Sequence, residues 1–422
     1  VNVGGKGDAT TRDGIMVIQA VNGGTSDSGA FALNGRVAAG AYEYFLFKGG
    51  VTVGTEENWY LRSELVAPLP PPTPTPPPTP PPTPTPTPAP GTPDLPSPVP
   101  DGPPIPLYSI KVPTYAVIPP VARHLVLSTL GTFHERRGEQ ALLRGSGYLP
   151  ASWGRVFGQD AEMKWDGTVA PSFDGNFFGF QVGEDLLSSE SITGHFDHVG
   201  LFVGHARVQG DVKGQALGWN DLAVGNVGVR GNGLGGYWTH IGPQGWYLDG
   251  VLMGVWLSGD ASADSGESID SDGTGATASL EGGYPIALTQ QWTLEPQAQL
   301  IWQHLSLDGQ ADRFSSVSFD TDDTLAGRLG SRLWGNFQTG TGTIQLYLKA
   351  NLWHNFSADE TVRFDGDPIV TELDGTSVEV GGGIVASLTE NFSLFATADY
   401  TTNLGSEKTR ILGGNLGASI KW

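Results

Sequence analysis

The chain contains no cysteine among its 422 residues, so neither a disulfide bond nor a thiolate metal site can form. Charged residues make up only 16% of the chain, against a typical share of about 25%. Basic residues are scarce, with 23 Lys and Arg against 44 Asp and Glu, and the net charge is −21. This balance argues against a nucleic-acid partner, because phosphates require basic side chains. No run of roughly 18 apolar residues is present either, which excludes a transmembrane helix.

Glycine and tryptophan are abundant, with 61 and 12 residues. Together with the low charge, they favour β structure with wide, partly apolar outer surfaces. A closed β-barrel is the other way to cross a membrane, because every backbone polar group must be paired inside the lipid. The chain begins at Val1 rather than Met, so we expect it to be the C-terminal portion of a longer protein.

From about Tyr148 onward, apolar and polar residues alternate with the period of two that is typical of strands. In the strand that starts at Trp292 one register is apolar, and the other is polar except for Ile301. The polar register consists mostly of amides, hydroxyls and glycine, which suits a water-filled barrel interior. We therefore predict that the lumen is lined by Asp249, Glu295, Gln297, Gln299, Lys349 and Asn351.

The pattern predicts an all-β fold of about twelve antiparallel strands, and an even number is expected of an outer-membrane barrel. The predicted starts are Ser152, Phe173, Phe196, Leu234, Trp246, Ala276, Trp292, Thr324, Thr343, Ser377, Phe392 and Leu412. Short connections at 242–245 and 289–291 are expected on the periplasmic side. Longer acidic connections at 258–273 and 306–323 are expected outside the cell.

Aromatic residues gather near the predicted strand ends, as the girdles at the two membrane surfaces require. The predicted girdle residues are Trp153, Trp246, Trp256, Trp292 and Trp302. The final strand places Leu416, Ala418, Ile420 and Trp422 on its apolar register. A closing strand of a membrane barrel explains this better than the alternative, the last strand of a soluble sandwich.

Three segments precede the barrel. Residues 1–66 carry short strand-like runs and are interpreted as the last rungs of a β-solenoid. Residues 67–112 include a tract, 68–106, that holds 22 of the 31 prolines and predicts a stiff extended spacer. At about 3.1 Å per residue this tract spans on the order of 120 Å.

Residues 113–147 contain the convincing helix, Tyr115–Arg137. The part from Pro120 to Arg137 is about 27 Å long, too polar to face lipid but long enough to thread a pore. The predicted pore-helix residues are Pro120, Arg123, Leu125, Leu130, Phe133, Arg136 and Arg137. We expect Asp249 and Glu295 to pair with these arginines.

These parts together resemble the C-terminal half of a pertactin-like type V autotransporter. The resemblance rests near the N-terminus on Asp13–Ile15, Gly40–Tyr44 and Trp59–Ser63, and in the barrel on Ser152–Phe157, Gly245–Asp249, Trp292–Leu300 and Gly327–Gly330. It implies a passenger end with an autochaperone-like region at 1–66, a linker at 67–112, a pore helix with lead-in at 113–147 and a translocator barrel at 148–422.

The resemblance also implies the function. The barrel would export and anchor its own passenger at the bacterial cell surface, and the passenger would be an adhesin or virulence-type protein. The implied partners are outer-membrane lipid, periplasmic chaperones and the barrel-assembly machinery, which would recognise the terminal strand. The alternatives are a plugged outer-membrane porin or other barrel protein and a wholly soluble adhesin. Conductance measured with and without the helix distinguishes a porin from a translocator. Dependence on detergent distinguishes a soluble adhesin from either membrane protein.

Two groups of residues are candidates for a chemical site. His195, Asp197 and His198 form the tightest His/Asp cluster, but His at positions i and i+3 of a strand points to opposite faces. Asp320, Asp322 and Asp323 have no histidine beside them in sequence. The sequence therefore predicts no enzyme activity, no metal and no cofactor.

Overall fold

The N-terminal region forms a small antiparallel sheet in the computed structural model, which describes residues 6–67, 85–99, 102–138, 151–340, 342–356, 359–405 and 408–421. Its strands are β1 (Ile15–Ile18), β2 (Val37–Ala39), β3 (Tyr42–Lys48) and β4 (Trp59–Arg62), in the order β1-β4-β3-β2. Buried Trp59, Tyr44 and Leu61 form its core. Solenoid rungs stack in parallel. Within residues 6–67 an antiparallel sheet therefore takes the place of the predicted rungs.

Part of the proline-rich tract folds back onto this sheet. Strands β5 (Glu64–Leu65), β6 (Thr87–Pro88) and β7 (Ile105–Pro106) are short, and β6 pairs with β3 while β7 pairs with β5. Proline is tolerated at such edges because its missing amide is not needed there. The prediction of one extended spacer is therefore wrong for residues 85–99 and 102–106, and residues 68–84 lie outside the described part.

The predicted helix is divided and starts earlier than expected. It consists of α1 (Lys111–Ala116), α2 (Ile118–Leu130) and α3 (Phe133–Arg137). Pro120 lies in the first turn of α2, where a missing amide costs nothing. Gly131 has φ 63°, a conformation that favours glycine, and it ends α2 instead of continuing the helix. No helix in the described ranges combines the length and apolarity needed to span a membrane.

Twelve long antiparallel strands close into a barrel in which the last strand pairs with the first. They are β8 (Ala151–Lys164), β9 (Ser172–Glu190), β10 (Phe196–Ala216), β11 (Trp219–Ile241), β12 (Tyr247–Ala263), β13 (Ser268–Gly283), β15 (Trp292–Leu307), β18 (Thr324–Thr339), β19 (Gly342–Phe356), β22 (Gly375–Ser387), β23 (Phe392–Asn403) and β24 (Thr409–Lys421). The predicted twelve-stranded barrel is confirmed.

The two ends of the barrel differ, and we call them the base and the mouth. The base carries short connections such as 191–195 and 242–246, and one of them contains β14 (Ile286–Ala287). At the mouth, two long connections form a separate four-stranded sheet from β16 (Gln310–Ala311), β17 (Ser316–Thr321), β20 (Asp359–Phe364) and β21 (Asp367–Glu372). The expected long connection at 258–273 is only 264–267, because β12 and β13 extend into it.

The apolar register changes face along the tallest strands. Near the base, apolar side chains point outward, as Leu234, Leu252 and Leu280 do. Toward the mouth they point inward instead, as Val229 and Ile269 do. Strands β11 and β13 were predicted to begin at Leu234 and Ala276 but begin at Trp219 and Ser268. The predicted starts fall where the apolar residues move from the lumen to the outer surface.

Candidate functional site

The lumen of the barrel is filled on one side by the helix α1–α2. Its apolar residues, among them Val121, Leu125 and Val126, are buried against the inner faces of β9 to β13. These strands contribute large apolar side chains to the contact: Phe173, Phe177, Val208, Val212, Val227, Val229, Val255 and Leu257. Burial of this surface stabilises the helix in the lumen at roughly 25 cal/mol per Å² of apolar area. This apolar half departs from the prediction of a polar lumen.

The other side of the helix borders a cavity of about 260 Å³. His124 and Ser128 face it from the helix, and both are within hydrogen-bond distance of Gln159 on β8, at 2.8 and 3.1 Å. The opposite wall is mostly polar and includes Asn355, Thr376, Glu379, Asp399, Thr401 and Asn403. The lumen is thus divided into an apolar half that holds the helix and a polar half with open space.

The short helix α3 binds the barrel wall near the base through every one of its residues. The Phe133 amide donates to Glu281 on β13 at 3.0 Å, and the His134 ring lies 2.8 Å from Glu295 on β15. Glu135 accepts from Lys349 on β19 at 2.8 Å, and Arg136 pairs with Asp249 on β12. Arg137 binds Asp185 on β9 through two nitrogen–oxygen contacts of 2.5 and 2.8 Å. Five residues therefore contact five different strands.

Of the expected arginine pairs, Arg136 meets Asp249, but Glu295 binds His134 rather than an arginine. Asp185 and Glu281, the partners of Arg137 and of the Phe133 amide, were not singled out from the sequence. The signal that could have identified them is their position in the inward register of strands that contain many glycines. Lys349 is held in addition by Glu379 at 2.7 Å and by Asp399 at 3.5 Å.

The break between α2 and α3 is supported from both sides. Arg155 on β8 donates to the carbonyls of Thr129 and Ser128, at 2.8 and 3.3 Å, and so satisfies the last turn of α2. On the other side Thr132 and Glu135 form a reciprocal capping box at the start of α3. A side chain at Gly131 would place its Cβ 2.6 Å from the Arg155 guanidinium. Together with the φ of 63°, this contact favours glycine at the turn.

At the mouth, the helix is held by the connections between strands. The Lys111 ammonium donates to both Asp312 oxygens, at 2.9 and 2.8 Å, and to Ser315 at 2.6 Å. Arg123 pairs with Glu360 on β20 and donates to the carbonyl of Asp322. Burial raises the pKa of Glu360 to about 7, although Arg123 opposes that shift.

Arg36 forms ion pairs that join the N-terminal sheet to the mouth. Arg36 pairs with Glu43 of the sheet and with Glu267, which lies between β12 and β13, at 2.7 Å each. Its Nη1 also donates to the carbonyl of Ser265 at 3.1 Å. The region that precedes the helix therefore lies at the mouth, whereas the end of the helix lies at the base.

The predicted lumen and girdle residues lie in four different settings. The predicted lumen residues all point inward, and Trp256, Trp292 and Trp302 are exposed on the outer surface. Trp246 is half-buried in a connection at the base. Trp153 was wrongly placed in the girdle. It shares the inward register of Arg155 and Phe157 and donates to the Tyr237 hydroxyl at 3.2 Å.

The closing strand β24 exposes Leu416 and Ile420 on the outer face of the barrel, with Ala418 half-buried between them. Trp422, the fourth residue predicted for this face, lies outside the described residues. The adjacent inward residue Asn415 donates to the Glu135 carbonyl at 2.8 Å, so the closing strand also holds α3.

The fold does not bring the residues of either candidate chemical site together. His198 points inward to Asp185 at 3.1 Å, whereas His195 contacts His240 at 3.0 Å. Asp323 is 2.7 Å from His304, a neighbour that sequence proximity could not reveal. Within the described part of the chain, no group of three or more His, Asp or Glu side chains is arranged to hold a metal ion.

A closed barrel with an apolar outer surface and a helix held in its lumen defines an integral outer-membrane protein with a plugged pore. Residues 152–399 match the family of autotransporter β-domains, and residues 1–46 match the type 1 autochaperone domain. The chain belongs to the autotransporter β-domain family. Its place is the bacterial outer membrane, with the passenger at the cell surface.

Proteins with similar sequences match either the whole chain or mainly its barrel. The adhesin BmaC autotransporter of Brucella suis is 29% identical over 100% of this chain, which spans 12% of that protein. Pertactin of Bordetella bronchiseptica is 30% identical over 63% of this chain and 28% of its own length. The uncharacterized protein YdeU of Escherichia coli is 29% identical over 100% of this chain and 88% of its own length. The chain thus covers only a small part of BmaC and pertactin.

Solved structures share the fold. The transport unit of the autotransporter AIDA-I from Escherichia coli aligns with a TM-score of 0.62 at 19% identity and covers 75% of this chain and 100% of its own. The translocator domain of NalP from Neisseria meningitidis aligns with a TM-score of 0.50 at 16% identity, over 73% and 96% of the two chains.

Proposed function

We propose that the barrel is the route by which this chain exports its own N-terminal passenger, and that α1 to α3 then plug that route and anchor the passenger. The path of the chain carries the proposal. Arg36 holds the preceding region at the mouth, and α3 is locked to five strands near the base. The chain therefore passes through its own lumen, and residues N-terminal to the helix lie on the mouth side.

The docked helix represents the state after export. Its two ends are fixed by ion pairs and its middle by apolar contact, so the lumen has no room for a second chain on that side. The polar half keeps a cavity of about 260 Å³. We assign no enzyme activity to this part of the chain, and the ion pairs serve to hold the plug.

We further propose that the barrel-assembly machinery recognises β24, and that periplasmic chaperones hold the unfolded chain before insertion. The outward exposure of Leu416 and Ile420 supports the first partner, because a strand with one apolar face can contact lipid while its backbone pairs with a neighbouring strand. The similarity to an adhesin and to pertactin supports a passenger that acts at the surface by binding.

The function is tested by surface protease accessibility. The chain is expressed behind a signal peptide with an epitope at its N-terminus, and intact cells are treated with an external protease. We expect loss of the epitope and retention of a heat-modifiable membrane fragment of the C-terminal part. An epitope that is shielded until the outer membrane is breached would contradict export.

A plugged porin is distinguished by conductance. Planar-bilayer currents are compared for the intact chain and for a variant that lacks residues 111–138. We expect a low conductance that rises strongly when the helix is removed. A high and selective conductance of the intact chain, combined with a shielded epitope, would favour the porin.

A further inference from the structure

Two arginines face each other on the outer surface of the barrel, toward the mouth. Arg207 on β10 and Arg230 on β11 are direct partners across the antiparallel pair. Both side chains are exposed and belong to the outward registers of their strands. Directly opposed residues have Cβ atoms about 4.5–5.5 Å apart, and like charges at such positions are destabilising.

No acidic partner neutralises this pair. Among the described residues, neither guanidinium has a carboxylate within 4.0 Å or a hydrogen-bond partner. The nearest acid on the adjoining strand β12 is Asp260, whose carboxylate lies over Gly228. Asp174 and Asp211, themselves directly opposed, lie farther toward the mouth. In a chain of net charge −21, two opposed and unpaired arginines are a conspicuous exception.

Neighbouring residues define the height of the arginine pair between the base and the mouth of the barrel. Immediately toward the base, His205 and Asn232 are joined at 2.9 Å, and beyond them the outward residues are Val203 and Leu234. Phe178 on β9 is the direct partner of Arg207 and is exposed.

Trp256 on β12 lies opposite Asn232 and is also exposed. Aromatic side chains such as Phe178 and Trp256 concentrate where the acyl region of a membrane meets its headgroups. The arginine pair therefore stands one step above the acyl region, on the side of the mouth. Because the mouth lies outside the cell, this level is that of the headgroups of the outer leaflet.

We propose that Arg207 and Arg230 form a binding site for a phosphorylated headgroup of an outer-leaflet glycolipid. An arginine fork donates two parallel hydrogen bonds to phosphate oxygens, so one phosphate group between the two guanidinium groups removes their repulsion. Asn232 and His205 supply polar groups at the adjacent position, Trp256 lies at their level, and Phe178 lies beside Arg207. The site goes beyond export, because it fixes the barrel in the lipid rather than moving the passenger.

The test uses the purified full chain in detergent, titrated with bisphosphorylated lipid A. The variant R207Q/R230Q removes both charges, and R313Q/R410Q is the matched control, because it removes two exposed arginines elsewhere. At about 1 kcal/mol for each basic residue near an anionic surface, the site variant should bind lipid A about 30-fold more weakly. The control should bind as the unaltered chain does.

Two further measurements make the proposal specific. Lipid A stripped of its phosphates, and inorganic phosphate alone, should each leave the heat-modification temperature of the barrel unchanged, whereas intact lipid A should raise it. In detergent without lipid A, R207Q alone should raise this temperature, because it removes the repulsion from Arg230.

Equal binding by R207Q/R230Q and the unaltered chain, equal losses in site and control variants, or equal binding of phosphate-free lipid would each overturn the proposal. An R207Q barrel that is less stable without lipid would also contradict it. Protease accessibility of the N-terminal epitope is measured separately on the same variants, so a failure of export is not confused with a loss of lipid binding.

Discussion

Replacing Arg137 with alanine should release α3 from the barrel wall. The guanidinium binds both oxygens of Asp185, at 2.5 and 2.8 Å, and donates to the Tyr237 hydroxyl at 2.7 Å. Both members of the ion pair are almost inaccessible to solvent, at 2% and 0% exposure. Removing one partner of such a pair leaves a buried charge and costs about 3–5 kcal/mol. We expect the lower end of this range, because His198 lies 3.1 Å from Asp185 and remains as a partner of its carboxylate.

A loss of about 3 kcal/mol increases the population of the undocked α3 about 150-fold. The expected result for R137A is a lower heat-modification temperature of the purified barrel and more frequent openings in planar-bilayer recordings. Arg410→Ala is the matched control, because Arg410 meets Glu162 at 3.4 Å in an exposed pair. Its cost should be about 0–1 kcal/mol.

The double variant R137A/D185N separates loss of the pair from loss of packing. It removes the uncompensated carboxylate and should therefore recover part of the stability that R137A loses. If R137A were no more destabilising than R410A, or if D185N gave no recovery, the view of α3 as an electrostatic lock would be refuted.

Three other substitutions test the plug. Arg136→Glu places a second carboxylate against Asp249 and should raise pore conductance; an unchanged conductance would remove that pair from the lock. Gly131→Ala should cost about 1–3 kcal/mol in thermal unfolding, because its φ of 63° is strained for any other residue, whereas Gly254→Ala, with open space around it, should change little. The folded-state pKa of Glu360, about 7, exceeds its ordinary value of 4.5, so stability should fall by up to about 3 kcal/mol as pH rises from 4.5 to 7. In Glu360→Gln this dependence should disappear, and an identical pH profile of unfolding in both proteins would contradict the assignment.

The period of two was sufficient to predict the barrel, because lipid on one side and water on the other impose opposite requirements on alternate residues. The prediction of strand starts failed where the strands extend beyond the lipid. On β11 and β13 the strands rise above the apolar belt, so their outward residues become polar while Val229 and Ile269 turn inward to the helix. A pattern that assumes one apolar face therefore begins these strands at Leu234 and Ala276. Trp153 was misassigned because the girdle was predicted from aromatic residues near strand ends, whereas Trp153 shares the inward register of Arg155 and Phe157.

The ion pairs of α3 show which part of the site could not be predicted from the sequence. The sequence identified Arg136 and Arg137 as charged residues with no place in lipid, and that argument predicted partners in the lumen. It could not choose among the carboxylates, because Asp185, Asp249 and Glu295 come from strands that closure alone brings around one helix. The turn at Gly131 could likewise not be predicted, since the carbonyls at the end of α2 are satisfied by Arg155 from the facing wall.

The two halves of the lumen explain how one barrel serves as both route and plug. A chain that moves along the polar wall exchanges hydrogen bonds with water at little net cost. The large apolar side chains that α2 contacts are concentrated on the side of β9 to β13, and Leu125 and Val126 meet them only when α2 is fully inserted. The ion pairs of α3 add a second condition, because five partners on five strands can be reached together in a single register. We infer that this coincidence of register, rather than narrowness of the barrel, stops the chain where it is found.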